Sequence, residues 1–240
     1  KTDYMKKLKK EKIFIVNFED LGKGRKYSDL IFNPIFSTTS KLSNEYYGSE
    51  FACVRDEFRI FERTKIRKKI QKISITLGGV DNNENTFKII EIINENKILK
   101  NIIINIILGF GFKHKEKLMK IINQMKERKY KIVIIEKTDF ISKYILDSDF
   151  VIASNGRTTF EIASLKIPMI VLSVNSREKQ HNFVSETKTG YQINMMEKSL
   201  EKELINSINS MKKFENRKIF LKNLEKIDLK NGIERVVDII

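Results

Sequence analysis

The stretch "DFVIASNGRTTFEIASLKIPMIVLSV" (residues 149–174) decides the predicted fold. Apolar runs at 149–154 and 168–174 are typical of strands that are buried on both faces. Between them, residues 159–166 repeat apolar side chains at helical spacing. A buried strand, a helix and a second buried strand in this order predict two parallel strands of one sheet, joined by a crossover helix.

The same alternation surrounds this stretch on both sides. Predicted strands cover 72–79, 102–109 and 130–136, and helical patterns cover 83–96, 115–128, 139–148 and 177–190. Gly190 resembles a helix C-cap, residues 191–194 form a last short strand, and two or three helices finish the chain. The sequence therefore predicts an α/β fold, a Rossmann-like parallel sheet with helices on both faces.

The first part of the chain is less regular. A helix is predicted at 3–10 and strands at 12–18 and 28–33, whereas residues 36–70 show no clean period. We interpret that segment as a linker, and we expect its aromatic residues to pack against another part of the structure. The chain opens without Met on what reads as the middle of a fold, so we expect it to be part of a longer protein.

Composition excludes several classes of function. Lys and Arg outnumber Asp and Glu by 46 to 31, but lysines alternate with glutamates along helical stretches, as on solvated helix faces, so we expect no nucleic-acid partner. The apolar run at 102–108 is too short to cross a bilayer, so no membrane insertion is expected. One cysteine fits a cytoplasmic protein, and two histidines give no metal-ligand spacing.

Two strand ends suggest a binding site. Ligands of open parallel sheets bind at the carboxyl ends of the strands, where Gly78-Gly79 and residues 154–159 follow predicted strands. Helix starts there offer amide groups to a phosphate, although the dinucleotide fingerprint and the P-loop are both absent. Alternatives remain open: Gly78-Gly79 is also compatible with an ordinary turn, Thr158-x-x-Glu161 with a helix capping box, and His181 with an exposed surface histidine.

Several segments in the same order resemble one family. They are "VNFEDLGKGRKYSDLIFNPIF" (16–36), "YYGSEFACVRDEF" (46–58), "ITLGGVDNNENT" (75–86), "SNGRTTFEIASLKIPMIVL" (154–172) and "SREKQHNF" (176–183). Together they resemble the SpsG/PseG family of UDP-sugar hydrolases, which act in spore-coat polysaccharide and pseudaminic acid (sialic-acid-like) biosynthesis. The fourth segment also resembles nucleotide-sugar enzymes of the GT-B fold.

The resemblance implies how the chain is organised. Residues 1–36 would be the remnant of an N-terminal Rossmann-like domain, 37–70 an interdomain linker and 71–230 the C-terminal nucleotide-sugar-binding domain. The last helix, 231–240, would pack back on the N-terminal part. The implied partners are UDP or a UDP-sugar, together with a missing N-terminal domain or a fused enzyme, and no cofactor.

The resemblance also implies a site. The implied nucleotide-binding residues are Gly78, Gly79, Lys137, Thr138, Phe140, Ile141, Gly156, Thr158, Thr159 and Glu161, and Gln180 and His181 would face the sugar. In this assignment the glycines and threonines lie near the diphosphate, and residues 137–141 hold the uracil. The Glu161 carboxylate accepts hydrogen bonds from the ribose hydroxyls.

The chain departs from the family in two places. It has no glycine-rich segment with the family's catalytic histidine, so no catalytic residue is expected in this chain. Ser154-Asn155-Gly156 followed by Arg157 stands in place of the usual glycine pair. Two alternatives to a hydrolase half remain: half of a GT-B glycosyltransferase or UDP-sugar 2-epimerase, or a non-catalytic module fused to a cytidylyltransferase-type enzyme.

Overall fold

The computed structural model describes residues 2–36, 42–81, 83–125, 128–136 and 138–240. Its strands form two parallel sheets. The first has the order β1-β2-β3, with β1 (Val16–Phe18), β2 (Leu30–Asn33) and β3 (Glu45–Tyr47). The second has the order β6-β5-β4-β7-β8-β9, with β4 (Lys72–Thr76), β5 (Ile103–Ile107), β6 (Lys131–Ile135), β7 (Phe150–Ser154), β8 (Met169–Ser173) and β9 (Gly190–Asn194).

Helices alternate with the strands of the second sheet. The helices are α1 (Thr2–Lys10), α2 (Asn85–Glu95), α3 (Lys115–Gln124), α4 (Ser142–Leu146), α5 (Thr158–Ser164), α6 (Phe183–Thr187), α7 (Leu200–Lys212), α8 (Phe214–Glu225) and α9 (Gly232–Val237). Short turns of 3-10 helix occupy 23–27, 49–51, 56–58 and 178–180. Within the described ranges, no helix is both long and apolar enough to cross a bilayer.

The second sheet is doubly wound. Its strand order runs outward from β4 in one direction and from β7 in the other, so the topology reverses between these two strands. Alternate residues of β7 face opposite layers: Ile152 packs in the cluster with α2 and α7, and Val151 packs in the cluster with α4 and α5. Both faces are therefore covered, which confirms the predicted Rossmann-like α/β fold.

The predicted helix over 177–190 is wrong as one element. It divides into a 3-10 turn at Glu178–Gln180 and the short helix α6, because His181 between them has an extended backbone. Gly190 is not a helix C-cap but the first residue of β9. A Cβ at Gly190 would lie 1.9 Å from the Met169 carbonyl oxygen, so glycine lets β9 approach β8. Lys188, with φ +53°, ends α6 in the left-handed conformation instead.

The segment without a clean period contains a strand that the sequence reading missed. Strand β3 pairs in parallel with β2, and the Tyr46 ring stacks on Phe32 with centroids 5.2 Å apart. Three residues are too few to give a periodic signal, and the strand depends on its partner rather than on its own pattern. The division into 1–36, 37–70, 71–230 and 231–240 stays a prediction, and residues 37–41 lie outside the described ranges.

Part of the segment between β3 and β4 lies against the second sheet at its amino edge. Asp149, which is fully buried, accepts hydrogen bonds from the backbone amides of Gln71 (2.7 Å) and Lys72 (3.0 Å). Its Oδ1 also lies 3.3 Å from Arg63 Nη2 and from Arg67 Nη1. This carboxylate therefore fixes the point at which the chain enters β4.

The last helix contacts the segment that follows β3. A Cβ at Gly232 of α9 would lie 2.1 Å from the Ala52 carbonyl oxygen, so only glycine permits this approach. Arg235 Nη1 donates to the carbonyl oxygen of Glu50 at 3.1 Å. Helix α9 is thus held against residues 50–52.

Candidate functional site

Three loops meet where the sheet topology reverses. Gly78 has φ +80°, and a Cβ there would lie 3.5 Å from Ser154 Oγ, which places the turn after β4 beside the end of β7. On its other side, Gly111 N donates to the Gly79 carbonyl oxygen at 2.9 Å. A Cβ at Gly109 would come within 2.4 Å of that oxygen. The glycines thus allow the backbones of these loops to stack at the carboxyl edge.

Two glycines at this edge are not required by the fold. Gly79 and Gly156 have no left-handed φ, and a Cβ at either position would meet nothing within 4 Å. Both lie in loops that follow strands flanking the topological reversal, where ligands of such sheets bind. The bare backbone at these positions leaves room for a ligand to approach closely.

The start of α2 is already occupied by a carboxylate. Asp81 Oδ1 accepts from Asn85 N at 3.0 Å, and its Oδ2 accepts from Thr86 N at 2.9 Å and from Thr86 Oγ1 at 2.6 Å. The negative charge at this helix end comes from the chain itself. An added phosphate would be repelled by Asp81, so we do not expect α2 to receive the ligand's anion.

Asn155 links two loops of the edge. It is fully buried, and its Nδ2 lies 2.8 Å from the His181 carbonyl oxygen and 3.0 Å from that of Glu178. The same nitrogen lies 3.2 Å from Ser173 Oγ. Asn155 therefore ties the loop after β7 to the loop after β8.

His181 is buried at this junction, so the alternative of an exposed surface histidine is wrong. Only 1 % of the residue is accessible, and its ring centroid lies 4.9 Å from that of Phe160. Burial lowers the pKa of His181 to about 4, which keeps the imidazole neutral. Nδ1 lies 3.2 Å from the Asn155 carbonyl oxygen and must donate to it, so Nε2 is left as an acceptor.

His181 also forms part of the wall of a cavity. The cavity has a volume of about 350 Å³. His181 lines it together with Phe36 and Ser49, which follow strands of the first sheet, and with Glu186 of α6. Nε2 has no hydrogen-bond partner in the described part of the chain. Gln180, the other predicted sugar-facing residue, is exposed, and its Nε2 lies 3.4 Å from the Ser176 carbonyl oxygen of its own loop.

The threonines predicted near the diphosphate differ in exposure. Thr159 is fully buried, and its hydroxyl lies 3.5 Å from Asn155 Oδ1, whereas Thr158 is half-buried. Helix α5 has no side-chain capping hydrogen bond at its start. The capping-box reading of Thr158 and Glu161 is therefore wrong, because the Glu161 carboxylate is used elsewhere.

Glu161 is paired with Arg55, which lies between β3 and β4. Arg55 Nε donates to Glu161 Oε1 at 2.8 Å, and Arg55 Nη1 lies 3.0 Å from Glu57 Oε1. Glu57 Oε2 in turn accepts from Ser142 N at 2.9 Å, at the start of α4. This chain of contacts joins the predicted ribose carboxylate to the loop predicted to hold uracil.

The predicted uracil residues are partly described. Lys137 lies outside the described ranges. Phe140 is 64 % exposed, its backbone amide donates to Thr138 Oγ1 at 3.3 Å, and Thr138 and Ile141 are half-buried. The structure thus gathers Gly78, Gly79, Gly156, Thr158 and Glu161 at one edge of the sheet, with residues 138–141 on the neighbouring part of that edge.

A second cleft separates the carboxyl edge from the first sheet. It encloses about 290 Å³ and is lined by Glu19, Phe36, Gly156, Arg157 and Arg177, among others. Sequence reasoning did not select Glu19 or Arg177, and it selected Arg157 only as a departure from the family. Among the described residues, no group of three or more His, Cys, Asp or Glu side chains could hold a metal ion.

The doubly wound sheet has the architecture of the C-terminal domain of a GT-B fold. Residues 77–236 match the glycosyltransferase family 28 C-terminal domain, and the chain belongs to that family. MurG of Acinetobacter baumannii has a similar fold, with a TM-score of 0.65 and 12 % identity, over 98 % of this chain and 70 % of MurG.

Two curated relatives align with this chain at the level of sequence. An uncharacterized protein of Methanocaldococcus jannaschii is 28 % identical over 172 residues, 65 % of this chain and 34 % of that protein. The spore coat polysaccharide biosynthesis protein SpsG of Bacillus subtilis is 25 % identical over 181 residues, 72 % of this chain and 52 % of SpsG. The aligned part is thus about half or less of each relative.

Proposed function

We propose that this chain binds a UDP-sugar as the C-terminal half of a GT-B-type nucleotide-sugar hydrolase. The complete protein would release UDP from a UDP-diacetamido-trideoxyhexose or a similar sugar in nonulosonic, sialic-acid-like surface polysaccharide biosynthesis. The observation that carries the binding proposal is the pair Gly79 and Gly156, whose bare backbones face open space at the topological reversal. Membership of glycosyltransferase family 28 and similarity to SpsG support the same substrate class.

Each part of the ligand has a chemical counterpart in the proposed site. Carboxylates accept hydrogen bonds from a vicinal diol, which suits Glu161 to the ribose. The exposed ring of Phe140 offers a flat apolar surface beside the loop proposed for the base. His181 borders the cavity of about 350 Å³, and a sugar hydroxyl that reached its buried Nε2 would find an acceptor on a neutral ring.

The chemistry of UDP release would come from outside these residues. Attack of water on the anomeric carbon needs a base whose pKa is near the working pH. His181, with a pKa of about 4 and no exposed face, is unsuited to that role. We therefore expect this chain to bind UDP weakly and to release no UDP from a UDP-sugar when tested alone.

Calorimetry on the 240-residue chain tests the binding proposal. UDP should bind, and ADP should bind at least tenfold more weakly. The Glu161→Gln variant should have an affinity for UDP about tenfold lower than the parent, because one charge-assisted hydrogen bond is lost. Glu215→Gln, on an exposed position of α8, is the matched control and should bind like the parent. Absence of UDP heat in the parent, or equal affinity in Glu161→Gln, contradicts the proposal.

A glycosyltransferase half is a second candidate, favoured by the match of residues 77–236 to a glycosyltransferase domain. Both candidates use the same nucleotide-binding half, so they differ only in what receives the sugar. Product formation by the complete protein separates them. Dependence on an acceptor sugar indicates transfer, and release into water without an acceptor indicates hydrolysis.

A further inference from the structure

Two arginines from different loops converge on one glutamate. Arg157 Nε lies 3.0 and 3.1 Å from the two carboxylate oxygens of Glu19, and Arg177 Nη2 lies 3.6 Å from Oε2. Glu19 follows β1 of the first sheet, whereas the arginines follow β7 and β8 of the second. The Glu19 side chain is 8 % exposed, but those of Arg157 and Arg177 are 71 % and 64 % exposed. Solvent therefore reaches both cations while they hold the carboxylate.

The positions of these groups are set by more than their mutual attraction. Glu19 has φ +54°, a left-handed conformation that is uncommon outside glycine, and its amide donates to the Phe32 carbonyl oxygen at 2.9 Å. The Arg177 guanidinium carbon lies 5.3 Å from the centre of the Phe36 ring, a cation–π distance. Nη2 of Arg177 also lies 3.4 Å from the Glu19 carbonyl oxygen. Backbone and packing thus place the anion and one cation in advance.

The cluster lies beside the proposed diphosphate position. The cleft of about 290 Å³ is lined by all three residues and by Gly156, at which a Cβ would meet nothing within 4 Å. The start of α2, on the other side of the topological reversal, already holds Asp81. The cations at Gly156 are therefore better placed than α2 to neutralise a diphosphate.

We propose that Arg157 and Arg177 bind the diphosphate of the nucleotide, and that Glu19 occupies them as a competing anion when no nucleotide is bound. This inference rests on the proposed function. A guanidinium offers the same planar fork of donors to a carboxylate and to a phosphate, so either anion can take the same place.

The test measures UDP and uridine affinity in the full chain. Arg157→Ala and Arg177→Ala should each lower the affinity for UDP about tenfold. The affinity for uridine should stay unchanged, because uridine has no phosphate. Glu19→Gln should bind UDP about three- to tenfold more tightly, since the internal competitor loses its charge. That gain should disappear when Glu19→Gln is combined with Arg157→Ala and Arg177→Ala.

Lys218→Ala is the control for loss of one positive charge. Lys218 is exposed on α8 next to Arg217, whose guanidinium binds the carbonyl oxygens of Arg67 and Lys68 at the opposite edge of the sheet. Melting temperatures report whether each variant is folded, and Arg157→Lys, which keeps the charge but not the fork, should fall between Arg157→Ala and the parent.

The outcomes separate this inference from the proposed function. If the parent binds UDP but the arginine variants and Glu19→Gln match Lys218→Ala, the cluster only bridges the two sheets and the inference is wrong. Weaker UDP binding by Glu19→Gln also overturns it, because Glu19 would then assist the ligand. If the parent binds neither UDP nor uridine, the proposed function fails and this inference fails with it.

Discussion

Arg55 Nε lies 2.8 Å from Glu161 Oε1, a contact between residues 106 positions apart in the chain. Arg55 is 53 % exposed at its side chain and also contacts Glu57, so a cation from the segment between β3 and β4 pairs with the carboxylate of α5. A carboxylate accepts several hydrogen bonds, and one shared with Arg55 keeps capacity for a ribose diol. We therefore regard Arg55 as a positioning residue of the proposed nucleotide site.

The first prediction concerns the replacement Arg55→Ala. The chain should lose less than about 1 kcal/mol of stability, since the ion pair is exposed on one side. The preference for UDP over 2′-deoxy-UDP should fall, because the Glu161 carboxylate loses its orientation. Calorimetry with both nucleotides measures that ratio. An unchanged ratio with a weaker affinity for both nucleotides indicates that Arg55 has no positioning role.

The fold was predictable because the central strands of the second sheet are buried on both faces. Strands β5, β7 and β8 are buried at almost every position and consist mainly of apolar residues, and such runs are typical of a covered parallel sheet. Strand β3 and the break at His181 were missed for a physical reason. Each is a few residues long and is set by a partner elsewhere, the β2 strand in one case and the Phe160 ring in the other.

The site was predictable only where it depends on the order of the strands. The carboxyl edge follows from that order, so the position of Gly78, Gly79 and Gly156 at this edge was predictable, and their role in binding stays a prediction. The contacts of Glu161 with Arg55 and of Arg157 with Glu19 join residues 106 and 138 positions apart. No local sequence pattern encodes such pairs. The sequence around Glu161 fitted a helix capping box as well as it fitted a ribose-binding carboxylate.

The second prediction concerns the pH dependence of stability through His181. Its pKa is about 4 in the folded chain against an ordinary 6.5, so the unfolded chain binds the proton more readily between these values. The contribution of neutral His181 to the free energy of unfolding is fully present above pH 6.5. It falls as the pH drops towards 4, by at most about 3 kcal/mol. Urea unfolding at several pH values should give a smaller pH dependence in this window for His181→Gln.

The matched control for His181 is the second histidine of the chain. The side chain of His114 is 39 % exposed, and its Nδ1 lies 3.5 Å from Glu84 Oε1. The variant His114→Gln should retain the acid-dependent loss of stability shown by the parent. Equal pH profiles for His181→Gln and the parent exclude burial of a neutral His181 as the cause.

The third prediction concerns the buried carboxylate of Asp149. The variant Asp149→Asn should lose about 3–5 kcal/mol, because it leaves the fully buried guanidinium of Arg217, 4.0 Å away, without its counter-charge. Asp147→Asn is the control, since Asp147 pairs with Arg67 and Lys72 but is 44 % exposed. Its cost should stay below about 1 kcal/mol. Similar urea midpoints for the two variants refute this difference.

The last prediction uses three glycines to separate stability from binding. A Cβ at Gly190 would lie 1.9 Å from the Met169 carbonyl oxygen, so Gly190→Ala should lose at least about 1–3 kcal/mol by forcing β9 away from β8. A Cβ at Gly79 or Gly156 meets nothing within 4 Å, so Gly79→Ala and Gly156→Ala should melt like the parent. Under the proposed function both should still bind UDP at least tenfold more weakly, because the added methyl groups occupy the space in which the diphosphate approaches the backbone. Thermal melts and UDP calorimetry on the same samples measure the two quantities, and parent-like affinity in both alanine variants would place the diphosphate elsewhere.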